Sequence, residues 1–299
     1  MKISFGDREF IEKHKVELRE WAPPVCVVGL IIVIFTLAML TYRTIYMNKS
    51  YNEQLANLGG VKKSATASKK PKVTDEGGEV ADETVRDDKI YPATILPGLK
   101  DIYDQNHDTV GWLMIDDTVV DYPVMQTPSD EEYYLERDFQ GNYSAYGCLI
   151  MDTDSVVGTG TADKKYKDGS RPSTNLIIHG HNMKNGTMFG GLDKYRKQDY
   201  EKQHSIIKFS SLYEEREYEI VSVFLSQVYL KTQNDVFKYY KFFEATSQEE
   251  FDDFYNNIKK LQLYDTGVDA KLGDEFITLS VCAYHVENGR LVVVAKRIK

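Results

Sequence analysis

Apolar and polar positions divide the 299-residue chain into four unequal stretches. Residues 1–20 are polar and balanced in charge. From Trp21 to Tyr42 no charged residue appears, and residues 25–40 are almost wholly apolar. At about 1.5 Å per residue this run crosses a hydrocarbon core of roughly 30 Å. Residues 43–90 turn polar again, with a Lys/Ser/Ala/Thr portion (61–72), an acidic portion (75–88) and few large apolar side chains. Such a stretch buries too little surface to offset its chain entropy and reads as a flexible linker. From 91 to 299 apolar residues recur at the short intervals of a folded domain.

Within that domain, alternation and β-branched or aromatic runs predict strands over 111–115, 119–126, 146–151, 175–179, 206–209, 218–228, 237–243, 276–281 and 291–298. Pro123 implies an edge or a bulge in the second of these. Short helices are expected at 99–106, 131–139 and 188–202. The clearest helix starts at Ser247, where Glu250 three residues on completes a capping-box signature. Phe251, Phe254, Tyr255, Ile258 and Leu261 then share one face at spacings of three and four. There is no internal repeat. Many short strands, few helices and no regular βαβ alternation predict a mainly β protein, a closed or nearly closed barrel with helices outside.

Charge refines this picture in two places. Arg8, Lys13, Lys15 and Arg19 precede the apolar run, while only Arg43 and Lys49 lie close behind it, which favours the amino terminus inside. A cleavable signal peptide is the rival reading; the long polar lead and the lack of a small-residue cleavage site favour a retained anchor. The domain then faces outward, held off the membrane by its linker. The net charge of −9 and the absence of a basic stripe exclude nucleic acid as a partner, because phosphate binding needs clustered Lys and Arg. Asp152, Asp154, Asp163 and Asp168 lack the spacing of a calcium loop and read as solvated loop charges, so neither a metal nor another cofactor is expected.

Three cysteines make no disulfide framework. The plain reading of a single free Cys is a small buried hydrophobe. Cys282 stands apart because it ends one strand, while Glu287-Asn288-Gly289 signals a turn and Arg290 opens the next strand. Pairing of these strands sets a potential nucleophile and a fixed positive charge at one end of the sheet. A cysteine nucleophile also needs a proton manager and a donor for the tetrahedral oxyanion. Among six histidines, His14 precedes the apolar run, His107 and His204 lie in turns, and His285 is strained as a partner by its closeness to Cys282. His179 and His181 remain, where an apolar strand delivers His-Gly-His into a polar loop.

These segments together resemble a class B sortase, a membrane-anchored transpeptidase of Gram-positive cell surfaces. Thr278-Leu279-Ser280-Val281-Cys282 is similar to the family's Thr-Leu-X-Thr-Cys strand, and Arg290 in Gly-Arg-Leu-Val-Val-Val matches its arginine. Gly180-His181-Asn182-Met183 with Thr187-Met188-Phe189 matches the catalytic-histidine segment. Asp121-Tyr122-Pro123-Val124-Met125 and Leu263-Tyr264-Asp265-Thr266-Gly267 also resemble class B sequence, as does a long helix before the nucleophile strand. There are departures. Val281 replaces the usual Thr, His179 stands where many class B members have Tyr, and Ala283-Tyr284 leave no acidic residue after Cys282.

The resemblance implies an eight-stranded barrel over residues 91–299, a cytoplasmic segment 1–20, an anchor 21–42 and a linker 43–90. It implies that Cys282 attacks the Thr carbonyl in the sorting signal of a secreted protein. His181 is then the acid and base, and Arg290 the oxyanion donor. The acyl acceptor is an amine of peptidoglycan or its lipid-linked precursor. Asp121, Met125 and Ser280 are expected to meet the signal peptide; His179 either does the same or packs. Pilin polymerisation, thiol hydrolysis with water as acceptor and a silent binding domain are the alternatives, the last disfavoured by the coexistence of Cys282, His181 and Arg290.

Overall fold

The computed structural model describes residues 26–53, 56, 95–159 and 170–299. The segment 1–20, linker residues 57–90, the domain's first residues 91–94, and Asp163 and Asp168 lie outside the described residues. The chain divides after Glu53 into two compact units. In the first, helix α1 spans Cys26–Glu53 and is long and apolar enough to cross a membrane. It continues past residue 42 into the predicted linker. Residues 43–53 contain neither Gly nor Pro, and Lys49 pairs with Glu53 one turn on at 3.8 Å.

The second unit is a closed barrel. Its strands are β1 (Thr109–Met114), β2 (Asp121–Met125), β3 (Leu149–Met151), β4 (Asn175–Gly180), β5 (Ile206–Ser211), β6 (Glu215–Gln227), β7 (Phe276–Cys282) and β8 (Gly289–Arg297). They close in the order β1-β2-β3-β4-β7-β8-β6-β5. The pairs β2–β3 and β4–β7 are parallel and the remainder antiparallel. Pro123 faces Trp112 of β1, but the β3 ladder starts one residue later at Val124↔Leu149. Its missing N–H therefore costs no β3 bond, and the strand is interior to the barrel rather than an edge.

Alternation sorts the wall. Ile277, Leu279 and Val281 of β7 and Leu291, Val293 and Ala295 of β8 are buried on the barrel's inner face. Phe276 and Val292 and Val294 face outward and are buried against helix α4 (Gln248–Leu261) through its Phe251, Phe254 and Ile258. The predicted capping box is present: the Glu250 N–H donates to Ser247 Oγ, and Glu250 accepts from the Ser247 N–H. Helix α2 (Pro97–Gln105) buries Leu99 and Ile102 in a second cluster with Met125, Cys148 and Ile150.

Three predicted elements differ. Residues 237–243 form no strand but a single 3-10 turn, Tyr239–Lys241, whose aromatic neighbours pack on α4; Phe242 stacks on Phe254 at 3.8 Å. Residues 188–202 split into a 3-10 turn (Gly190–Arg196) and a short helix α3 (Gln198–Gln203), because Lys197 is extended between them. Residues 131–139 are a run of turns. A helix there would need the Tyr134 and Leu135 carbonyls for Asp138 and Phe139. They accept instead from the Cys148 N–H (3.0 Å) and the His181 ring (2.7 Å), while the Asp138 N–H donates to Asn142 O.

Candidate active site

Register alone brings the candidate side chains to one end of the wall. In the parallel β4–β7 ladder His179 faces Ser280 and Gly180 faces Val281. One step further, His181 is level with Cys282. In the antiparallel β7–β8 ladder Cys282 faces Arg290. Neighbouring strands lie about 4.8 Å apart, so His181, just past the end of β4, follows the strand adjacent to the one that ends in Cys282, which faces Arg290. Cys282 and Arg290 share parity with Phe276 and Val292, so they lie on the outer face that further down carries α4. Cys282 is half-buried, neither sealed in the core nor fully solvated.

Several contacts hold this arrangement. Asn182 Nδ2 donates to the Cys282 carbonyl at 2.7 Å, tying the loop after β4 to the end of β7. Gly180 allows close approach there, since a Cβ would meet the Phe189 ring at 2.6 Å and Leu149 at 2.7 Å. His181 Nε2 bonds the Leu135 carbonyl. Arg290 Nη1 donates to the Asn288 and Gly289 carbonyls at 3.3 and 3.0 Å. It pairs with no carboxylate among the described residues. Beneath them the buried Tyr239 hydroxyl shares a 2.8 Å hydrogen bond with Ser280 Oγ. Burial pushes the Tyr239 phenol up to about 12, against the opposing effects of that bond and of the nearby Arg290 charge.

The expected peptide contacts fare differently. Met125 is fully buried in the α2 cluster and offers no surface to a groove, a correction that follows from α2 covering it. Ser280 is 2 % exposed with its hydroxyl on Tyr239, so it supports the site from below rather than lining it. The Asp121 carboxylate accepts from the Trp112 indole at 2.7 Å. His179 is half-exposed beside His181, and its Nε2 lies 3.2 Å from Asp152 Oδ2. Asp152 is buried, not a solvated loop charge. With Glu131 these two bring one ligand atom each within 4.8 Å of one another, a grouping able to hold a cation. Partial burial, with the Asp152 charge second, raises the Glu131 carboxyl above its usual range. A cavity of about 290 Å³ lies between the β1–β2 turn and the segment after His181, lined by Val119, Asn185, Gly186 and Tyr200. Cys282, His181 and Arg290 do not line it.

A profile of the sortase domain matches residues 113–298. The chain belongs to the sortase family. Its likeness is to class B: it is 30% identical over 236 residues to sortase B of Listeria monocytogenes, covering 78% of this chain and 81% of that one. Sortase B of Staphylococcus aureus is 27% identical over 69% of this chain and 76% of its own length. The crystal structure of sortase B from B. anthracis in complex with AAEK1 aligns with TM-score 0.56 and 29% identity, over 70% of this chain and 88% of that one. This class B sortase is a cysteine transpeptidase of the kind that anchors proteins to the cell wall. The sortase's eight strands and peripheral helices agree with the expected fold, and the ninth predicted strand is absent. Two parts of the site escaped sequence reasoning. Tyr239 lay in an aromatic run that imitates a strand, and the Leu135 carbonyl is a backbone atom that no residue type announces.

Proposed function

We propose that Cys282, His181 and Arg290 carry the transpeptidation. The observation that supports this most is the register, which sets Cys282 opposite Arg290 and Val281 opposite Gly180, the residue before His181. The Cys282 thiolate attacks the Thr carbonyl of a carboxy-terminal sorting signal. Arg290, whose guanidinium among the described residues is bonded only to carbonyls of its own turn, donates to the developing oxyanion. Collapse breaks the C–N bond, and protonated His181 gives its proton to the departing amine. The protein is left as a thioester on Cys282. An amine of peptidoglycan or its lipid-linked precursor then attacks; the thiolate leaves, and His181 takes the incoming amine's proton.

The half-exposed His179 is the side chain beside His181 best placed to meet the signal peptide, with Asp121 further along the same barrel end. Helix α1 acts as the anchor, with residues 1–20 cytoplasmic and the 91–299 domain outside on the linker. That topology brings a secreted protein and a membrane-bound acceptor to one surface.

The test is turnover of a panel of sorting-signal peptides by the full chain in detergent micelles, with and without a small amine. Amine-dependent ligation that disappears in Cys282→Ala and His181→Ala is expected. Turnover retained in Cys282→Ala would overturn the assignment, and release to water alone would make the protein a hydrolase.

A further inference from the structure

We propose that Gly147 and the Leu135 carbonyl are positioning elements that fix the His181 ring, so that Nδ1 is the atom that moves the proton. This rests on the reading of His181 as the acid and base. A carbonyl oxygen only accepts, so the 2.7 Å contact between Leu135 O and His181 Nε2 requires a hydrogen on Nε2. That hydrogen is present in both the neutral and the charged ring. The proton gained and lost in the reaction therefore sits on Nδ1, which makes no hydrogen bond among the described residues. In the first half-reaction Nδ1–H passes its proton to the departing amine as the C–N bond breaks. In the second, the Nδ1 lone pair takes one from the incoming amine as its C–N bond forms and the C–S bond breaks.

The carbonyl's direction is set from outside the histidine loop. The turns over 131–139 leave the Tyr134 and Leu135 carbonyls unused locally, and the Cys148 N–H holds the first of them at 3.0 Å. Gly147, the residue before Cys148, has φ +58°. A Cβ at this position would collide with the Leu135 oxygen and stand 2.8 Å from the Tyr134 oxygen. Both obstacles are backbone, which cannot swing aside as a flexible side chain does. Gly147 thus does more than relieve its own left-handed backbone. It leaves room for the one oxygen that orients the imidazole, 34 residues away in sequence. This is the task that a second-sphere acceptor performs for a ligating or catalytic histidine elsewhere.

The cleanest perturbation is an amide-to-ester exchange at the 135–136 bond, made by incorporating an α-hydroxy acid at position 136 of the full chain. It weakens the Leu135 carbonyl as an acceptor. The N–H that it deletes, that of Glu136, donates no hydrogen bond among the described residues. Peptide turnover should show kcat reduced about tenfold or more with KM within about twofold, because ring orientation rather than peptide binding is lost. Nitrogen-15 NMR of the unmodified protein should show a slowly exchanging His181 Nε2–H coupled through the hydrogen bond to the Leu135 carbonyl carbon, and the ester should abolish that coupling. Gly147→Ala should lower kcat in the same direction and by more. A wild-type kcat in the ester, or a neutral His181 carrying its proton on Nδ1, overturns the proposal. If His181→Ala is itself active, the acid–base assignment fails; if it is inactive while the ester turns over normally, only the positioning role fails.

Discussion

Strand β8 carries an arginine at each end, and the two are treated in opposite ways. Arg297, near the carboxy terminus, is nearly buried and paired with Glu214 at 2.6 Å and Glu275 at 2.8 Å. Arg216 beside it, its side chain wholly buried, joins the same network through Glu214 at 2.9 Å and the Val157 carbonyl. Glu214 and Glu275 are both committed there. Arg290, seven residues earlier, faces Cys282 and among the described residues bonds only two carbonyls of its own turn. One guanidinium ties carboxylates together across the barrel; the other, on the proposed reading, keeps donors for a charge that exists only during reaction. The same residue type on one strand is thus committed to an ion pair or left with donors to spare according to whether a carboxylate lies within reach.

The largest expected break in this contrast comes from Arg290→Lys. It keeps the charge but loses the planar fork, so kcat/KM for a sorting-signal peptide should fall about 10²-fold or more while the unfolding midpoint holds. Arg297→Met should do the reverse. Removing the guanidinium that Glu214 and Glu275 share should cost about 3 kcal/mol in denaturant unfolding, with turnover per folded molecule unchanged. Tyr239→Phe sharpens the comparison from within the active end. It removes a buried hydrogen bond to Ser280 and should cost about 1 kcal/mol of stability, with kcat within a few-fold.

The smallest effect belongs to the α4 cap, which is remote from both arginines. Ser247→Ala should cost about 1 kcal/mol and leave turnover alone. Hydrogen bonds from Thr246, side chain and then backbone, hold the Glu250 carboxyl below its usual value. Its stabilisation is therefore fully present above the unfolded carboxylate range and is lost as pH falls through the folded value. Glu250→Gln should remove that part of the acid-side loss in a pH series of unfolding curves.

What was legible in the sequence follows from where the information is local. The β7–turn–β8 hairpin reads directly, since Glu287-Asn288-Gly289 marks the turn and β-branched runs flank it, and the register then pairs Cys282 with Arg290. The α4 helix reads as clearly because its cap and its apolar stripe agree. The 131–139 segment does not, because its carbonyls are claimed by Cys148 and by His181, partners up to 46 residues distant. The aromatic run at 237–243 suits a pleated strand by residue type. It is drawn instead onto α4, where Phe237 and Phe242 meet Phe254. Met125 matched a family segment, but a match in sequence does not say what covers a strand residue, and this one is covered by α2.

The central claim is that the acyl group passes through the sulfur of Cys282, and intact and peptide-mapping mass spectrometry tests it most directly. Full chain quenched with acid during turnover of a sorting-signal peptide should carry the peptide's amino-terminal fragment on Cys282. Added amine should remove that adduct, and the buried Cys148, whose thiol burial pushes well above the usual range, should stay unmodified. Turnover without any adduct on Cys282, or an adduct that amine does not discharge, would contradict the account.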